Sequence, residues 1–301
     1  MPRKSGRESF LRKKKVTEVE ISDDIKAVRA RLRQERSQGK TIGFVPTMGA
    51  LHKAHAQLIK RAVSENDFSV VSIFVNPTQF GPDEDFKTYP GDFDADTALC
   101  DSAAVDTVFH PSVETLYKED ESTRVVVSGI TDTMCGKTRP GHFEGVATIV
   151  SKLFNIIEPH RVYLGQKDYQ QFRVIERMVK DLDFDIELVM CPTEREDDGL
   201  AVSSRNRYLD DKERKQSAYI YKALKKGKEM ILAGERDAGA VSRKITEIIT
   251  GNIDAQGIDY AGVFDAYTLK PVGEIKKDIV LAAAVRLGRA RLIDNTIVEV
   301  S

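Results

Sequence analysis

Two histidines three residues apart stand just past a glycine in the run Pro46-Thr47-Met48-Gly49-Ala50-Leu51-His52-Lys53-Ala54-His55. Imidazole can hold or release a proton near neutral pH, and it can donate hydrogen bonds to oxyanions. Three other stretches carry related chemistry. Asn76-Pro77-Thr78-Gln79-Phe80 offers two carboxamides, which donate and accept at once and suit a ligand bearing hydroxyl and carboxylate groups. Gly165-Gln166-Lys167-Asp168 sets a lysine, a point charge for phosphate, beside an acid fit to cap a helix, with Gln171 one turn further on. Val202-Ser203-Ser204-Arg205-Asn206 gathers several donors for phosphate. Taken singly, each stretch has a plainer use: a histidine pair that caps or packs, a Pro-Gly turn, and an N-cap before a helix. Their positions along the chain give them weight.

Thr41 to Val45 is short, apolar and partly β-branched, which predicts a buried strand ending at Pro46, a residue that cannot donate to a ladder. Gly49 permits a tight turn. Leu51, Leu58, Ile59, Ala62 and Val63 then recur at helical spacing. A strand, a glycine turn and a helix start form an anion site, because the first helical N–H groups are free and carry partial positive charge. Residues 69–75 predict the next strand, so a parallel βαβ unit opens the fold. Ligands of such sheets bind at the carboxyl ends of the strands, where both the histidines and the Asn76 loop fall.

Further strands are expected at 105–109, 124–127, 162–164 and 185–190, and helices at 21–32 with Ser22 as N-cap, 92–104, 145–157 and from Tyr169 onward. Gly136-Lys137-Thr138 invites comparison with a phosphate-binding P-loop. Thr131 stands where that loop needs its first glycine, and Pro140-Gly141 breaks the helix that should follow. From Asp210 the pattern changes to two long helices (210–233 and 237–250) and then strands at 260–266, 279–285, 290–293 and 297–300. An α/β domain at 16–199 and a smaller α+β domain at 200–301 are therefore expected, meeting in the Ser-Ser-Arg region, where a cleft could close on its ligand.

The composition suits this plan. The 301 residues exceed one typical domain, 41% of them are apolar, and the formal net charge of −1 argues against general nucleic-acid binding. No apolar run approaches the roughly 18 residues of a membrane span. The three cysteines, Cys100, Cys135 and Cys191, are widely spaced and suggest a reduced, cytoplasmic protein. Residues 1–15 hold seven basic residues and one acid, and read as a solvated tail outside the fold.

Together these motifs resemble the pantothenate synthetase family of the adenylyl- and cytidylyltransferase-like superfamily. IGFVPTMGALH, FVNPTQFG, MCGKTRPGHFEGVAT, KLFNII, GQKDYQQ, DGLAVSSRN and ARLIDN match in order and spacing, from about Glu18 to the C-terminus. The resemblance implies a Rossmann-like parallel-sheet nucleotidyltransferase domain with a smaller C-terminal domain closing over the site, in a homodimer. It also implies the joining of pantoate and β-alanine with ATP and Mg2+, through an enzyme-held pantoyl adenylate, releasing AMP and pyrophosphate.

By the same resemblance, Met48 to His55 would bind ATP, with His55 as proton donor and His52 beside it on the phosphates. Gln79 and Gln171 would hold pantoate, with Gln79 also near β-alanine, and Asn76 and Arg139 would line that cavity. Gly165 to Asp168 would contact ribose and phosphates, with Lys167 on the phosphates. Val202, Ser203, Ser204 and Arg205 would close over the triphosphate. Glu194 joins the ATP-binding set, and Asp96 aligns with an acidic position linked to Mg2+. Two residues depart from the family pattern: Ala54 replaces a glycine between the histidines, and Gly91 replaces an arginine. Two other functions compete. A nucleotidyltransferase with a phosphorylated acceptor would want basic residues in the Asn76–Phe80 loop, which has none. Against a non-catalytic nucleotide-binding protein stand His52, His55, Lys167 and Arg205 together, while Ala54 and Gly91 leave that reading open.

Overall fold

The computed structural model describes residues 18–82 and 84–300, so the basic tail expected at 1–15 lies outside the described residues. The first layer of the fold runs β1 (Glu20–Ser22), α1 (Ile25–Ser37), β2 (Ile42–Thr47), α2 (Lys53–Glu65), β3 (Phe68–Ile73), α3 (Phe93–Ser102), β4 (Thr107–Phe109), α4 (Val113–Leu116), α5 (Met134–Thr138), α6 (His142–Ile157), β5 (Arg161–Gly165), α7 (Tyr169–Asp181) and β6 (Glu187–Cys191). Among the described residues, six strands form one parallel sheet in the order β1-β4-β3-β2-β5-β6. The chain steps from β2 to β3 on one side, then returns to add β5 on the other. This reversal opens a crevice above the carboxyl ends of β2 and β5, where open α/β sheets bind ligands.

Both faces of the sheet are covered. Leu32 of α1, Phe143, Ala147 and Phe154 of α6, and Phe172 and Ile175 of α7 pack on Phe44, Val70 and Val162. On the opposite face Leu58, Ile59 and Ala62 of α2 and Cys100 of α3 pack on Val45, Val71 and Val189. Strands buried on both faces read as continuous apolar runs, which is why β2 and β3 were visible in the sequence.

Local expectations failed in four places, each for a physical reason. β2 continues through Pro46. The Thr47 carbonyl accepts from Phe74 N at 3.0 Å, so Pro46 turns its nitrogen to the β5 side, where the ladder stops at Phe44 and no donor is needed. Ile21 belongs to an edge strand, and α1 starts at Ile25 with Asp24, not Ser22, as its N-cap: Asp24 Oδ1 accepts from Ala27 N at 2.8 Å. Among the described residues, 124–127 lie outside every strand and pair with none. The two strands expected at 290–293 and 297–300 are one, β9, because its whole length pairs with β8.

The second unit comprises α8 (Asp211–Leu232), α9 (Ala238–Asn252), β7 (Gly257–Asp265), β8 (Ile279–Leu287) and β9 (Ala290–Val298). Its antiparallel sheet has the order β7-β8-β9, and α8 and α9 bury Ile220, Leu224, Val241 and Ile245 against Val263, Leu281 and Leu292. A smaller apolar cluster joins the units: Met134 of α5 and Tyr169 of α7 meet Phe264, Leu269, Val280 and Ala282. The Tyr169 hydroxyl also donates to the Ala266 carbonyl at 2.8 Å.

Candidate active site

The turn after β2 is built around a buried carboxylate. Gly49 (φ 82°) and Ala50 (φ 51°) both adopt the left-handed region, and a side chain on Gly49 would press on Asp96. Asp96 of α3 accepts from Ala50 N at 2.9 Å and Leu51 N at 2.6 Å, which fixes the turn. Burial raises its pKa, and the two amides pull it back. Both oxygens of Asp96 serve the backbone, and Asp96 is not among the residues that line the cleft.

The turn delivers His52 as the N-cap of α2 and His55 as its third residue. Their rings lie 4.1 Å apart, and His52 N donates to His55 Nδ1 at 3.3 Å. An Nδ1 that accepts carries no proton, so neutral His55 holds its proton on Nε2. Burial is the main cause that lowers both pKa values, to about 4 for His52 and about 3 for His55; Lys167 lowers His52 further and His52 lowers His55. Both imidazoles are therefore neutral at pH 7 in this structure, donors of an N–H rather than imidazolium acids.

A cleft of about 240 Å3 opens beside them. Met48, Ala54 and the two histidines line it from the first turn. Gly165, Lys167, Asp168 and Gln171 come from the end of β5 and the start of α7, and Val202 to Arg205 from the junction of the two units. Its apolar floor includes Phe74, Val150 and Leu153. Gly49, Ala50 and Leu51 shape the turn without lining the cleft. Lys53 points away: its Nζ donates to Glu196 Oε2 at 2.7 Å and to the Arg195 carbonyl at 3.2 Å. Glu194 does not line the cleft either, but its carbonyl accepts from Val202 N at 2.9 Å.

Asn76 and Gln79 are both buried on the wall of the cleft, but their amides differ in availability. Asn76 Nδ2 donates to Gln79 Oε1 (3.1 Å) and the Gly145 carbonyl (3.2 Å), while Oδ1 accepts from Tyr117 OH (2.8 Å) and Thr78 Oγ1 (3.0 Å). It is committed to the protein and holds the loop. Gly145 makes room for this: a Cβ there would stand 2.3 Å from the Thr78 carbonyl oxygen. Among the described residues Gln79 Nε2 meets only the soft sulfur of Met48, at 2.9 Å, and would exchange it readily for an oxygen acceptor.

The two arginines are already paired. Arg139 bonds Glu84 at two points, both 2.6 Å, and Arg205 bonds Asp85 at 3.1 and 2.8 Å. Burial works against the charge on Glu84, yet the bonds from Arg139 hold its carboxyl below the usual range. Arg139 also donates to His142 Nε2 at 2.9 Å, which leaves His142 Nδ1 to donate to the Gln79 carbonyl at 2.8 Å. Burial, then Arg139, lowers the His142 pKa to about 4. Sequence reasoning gave no role to His142, Glu84 or Asp85. His142 stands three residues after Arg139 and could have been suspected. The acids carry no local signal, because their partners lie 55 and 120 residues away.

Known proteins resemble the chain over nearly its whole length. A family model described as "Pantoate-beta-alanine ligase" matches residues 20–297. The pantothenate synthetase of Thermotoga neapolitana is 50% identical over 279 residues, covering 93% of this chain and 98% of that protein. That of Thermodesulfovibrio yellowstonii is 54% identical over 264 residues, covering 88% of this chain and 94% of that protein. Among solved structures, pantothenate synthetase from Thermus thermophilus superposes with a TM-score of 0.87 at 43% identity, covering 92% of this chain and 99% of that one. The Francisella tularensis pantoate-beta-alanine ligase, described as complexed with beta-gamma ATP and beta-alanine, gives 0.74 at 36% identity, covering 93% and 97%. Matches of this identity over nearly the whole length of both partners establish kinship, and the chain belongs to the pantoate–β-alanine ligase family.

Proposed function

We propose that the chain joins pantoate to β-alanine with ATP through a pantoyl adenylate. A pantoate carboxylate oxygen forms a bond to the α-phosphorus, and the α–β bridging bond breaks to release pyrophosphate. The β-alanine amine then forms the amide at the pantoyl carbonyl carbon, the C–O bond to AMP breaks, and the nitrogen gives up its proton. No nucleophilic side chain is required, since the substrate carboxylate attacks.

One observation carries this proposal: neutral histidines at a helix start, Lys167, and the Ser203–Arg205 segment converge on one cleft from three separate parts of the chain. Negative charge grows on the α-phosphate and the leaving pyrophosphate, so donors and cations must meet there. His52 and His55 would donate N–H hydrogen bonds to phosphate oxygens, His55 through Nε2; held neutral, His55 would act there as a hydrogen-bond donor rather than as the proton donor the resemblance implied. Lys167 and Arg205 would balance the charge, and Val202 to Ser204 would close over it. Gln79 and Gln171 would hold pantoate, with Asn76 and Arg139 supporting the wall behind them. A closed cleft would shield the mixed anhydride from water.

Among the described residues no three His, Cys, Asp or Glu side chains converge as a metal site, and Asp96 is committed to backbone amides. Mg2+ would arrive on the ATP phosphates. A domain boundary near Leu200, a homodimer and a cytoplasmic location rest on the sequence pattern and the resemblance, and light scattering would test the dimer.

The deciding assay gives purified protein ATP, Mg2+ and pantoate, with and without β-alanine, and identifies the nucleotide product. AMP should form with both substrates, and pantoate alone should support exchange of labelled pyrophosphate into ATP. ADP as product, or turnover indifferent to pantoate, would refute the ligase assignment.

A further inference from the structure

Strand β9 belongs to the second unit, yet two adjacent residues of it reach segments that line the cleft. Asn295 is 3% exposed. Its Nδ2 donates to two successive carbonyls, Gln166 O at 3.0 Å and Lys167 O at 2.9 Å, while its Oδ1 lies 3.4 Å from Gln166 Nε2. Asp294 is 5% exposed and binds the Arg195 guanidinium at two points, 2.7 and 3.0 Å. Arg195 in turn donates to the Gly199 carbonyl at 3.0 Å, and its own carbonyl accepts from Lys53, the residue after His52.

The alternation of a strand explains how one edge serves both. Arg291, Ile293 and Asn295 share one face. Arg291 donates to Thr138 of α5, and Ile293 packs on the core beneath the parallel sheet. On the other face Leu292 and Val298 fill the core of the second unit, with Asp294 between them. A carboxamide suits the Asn295 position: its nitrogen has two donors that can fork onto neighbouring carbonyls while its oxygen accepts. The turn it grips has no side-chain cap of its own. The turn bearing Lys167 is thus held from the other unit.

We propose that Asn295 is a positioning residue for the ATP-dependent step, fixing the Gly165–Asp168 turn so that Lys167 meets the phosphates. The proposal rests on the placement of Lys167 at the phosphates given above.

The test measures kcat and KM for ATP and for pantoate in Asn295→Ala, Lys167→Ala and the double variant, with melting temperatures recorded with and without ATP. Displacement of a group at a reacting centre by about 1 Å costs up to about a hundredfold in rate. Asn295→Ala should therefore lower kcat/KM for ATP by about ten- to a hundredfold. KM for pantoate should stay within about twofold and ATP should stabilise the variant less, a split that general loosening would not produce. In the Lys167→Ala background the same change should add little, because both act through one group. Asn295→Asp keeps the shape and removes the donors, so it carries the test if the alanine variant does not fold. Fully additive losses, or a folded variant with unchanged kcat/KM for ATP, would overturn the proposal. Wild-type kinetics in Lys167→Ala would instead remove the assignment of Lys167 and the proposal with it, whereas an impaired Lys167→Ala beside a normal Asn295→Ala would overturn only the positioning role.

Discussion

Arg205 faces Asp85 in a two-point ion pair on the wall of the cleft, with Nε 3.1 Å from Oδ2 and Nη2 2.8 Å from Oδ1. The guanidinium proposed to receive the triphosphate already holds a carboxylate from the 85–88 turn. Nucleotide must therefore compete with Asp85 for the same planar fork, which can match either partner at two points.

Replacing Asp85 with asparagine should tighten ATP binding. The two side chains are 27% and 23% exposed, so water screens the pair only in part and the upper end of the surface range is the least it should be worth. About 1 kcal/mol of competition corresponds to roughly a fivefold lower KM for ATP. The measurement is the Michaelis constant for ATP at fixed ionic strength. A higher constant would mean that the pair persists with ATP bound and helps to aim Arg205.

The histidine turn was legible because strand, punctuation and helix are each written locally: Phe44 and Val45, then Gly49, then the apolar spacing of α2. Recognition of the string gave the neighbours their order. What stayed hidden was long-range. Asp96 reads as one acid among several in α3, and only the fold brings it against the amides of Ala50 and Leu51, 46 and 45 residues away. Asn76 reads as a ligand for substrate, and only the approach of α6 and Tyr117 uses up its amide. Val125 to Val127 have strand composition, but composition makes a strand only where the segment lies along an edge, and these residues pair with no strand of either sheet.

Acid should destabilise the protein in a window set by three imidazoles. A free imidazole titrates near 6.5. In the folded chain His52 and His142 are lowered to about 4 and His55 to about 3. Between those values the unfolded chain binds more protons than the folded one, so stability is lost as pH falls from about 6.5 toward 4. The lowered carboxylates, such as Glu84 and Asp265, act at lower pH and leave the upper part of the window to the histidines. His142→Asn keeps a donor near the position of Nδ1 and removes one titrating group. Its stability should depend on pH by about one proton less across the window, as read from denaturant midpoints. An unchanged slope would show that His142 titrates alike folded and unfolded.

His55→Ala should lower turnover by roughly a hundredfold or more, the scale of losing one donor aimed at developing charge. The helix start should survive, since the Nδ1 atom of His55 contributes a single 3.3 Å bond to the His52 amide. Rapid-quench measurement of adenylate formation, beside a circular dichroism spectrum, separates chemistry from folding. Near-normal turnover with an intact spectrum would exclude any catalytic part for this imidazole.

Ala54 is the second residue of α2 and lines the cleft between the two histidines. The family pattern has glycine there. Glycine lets a ligand approach the backbone, because no Cβ intervenes. Alanine adds a methyl and favours a helix interior by about 1 kcal/mol, less at the first turn where the chain is only partly committed. Two effects therefore oppose each other in Ala54→Gly. Because the residue lines the cleft, removing the methyl should lower KM for ATP, while the melting temperature should fall by no more than about 2–4 °C. Both quantities are to be measured on the same variant. An unchanged or higher KM together with lower stability would mean that the phosphates never come within reach of this methyl. The departure from the family pattern would then serve the helix alone.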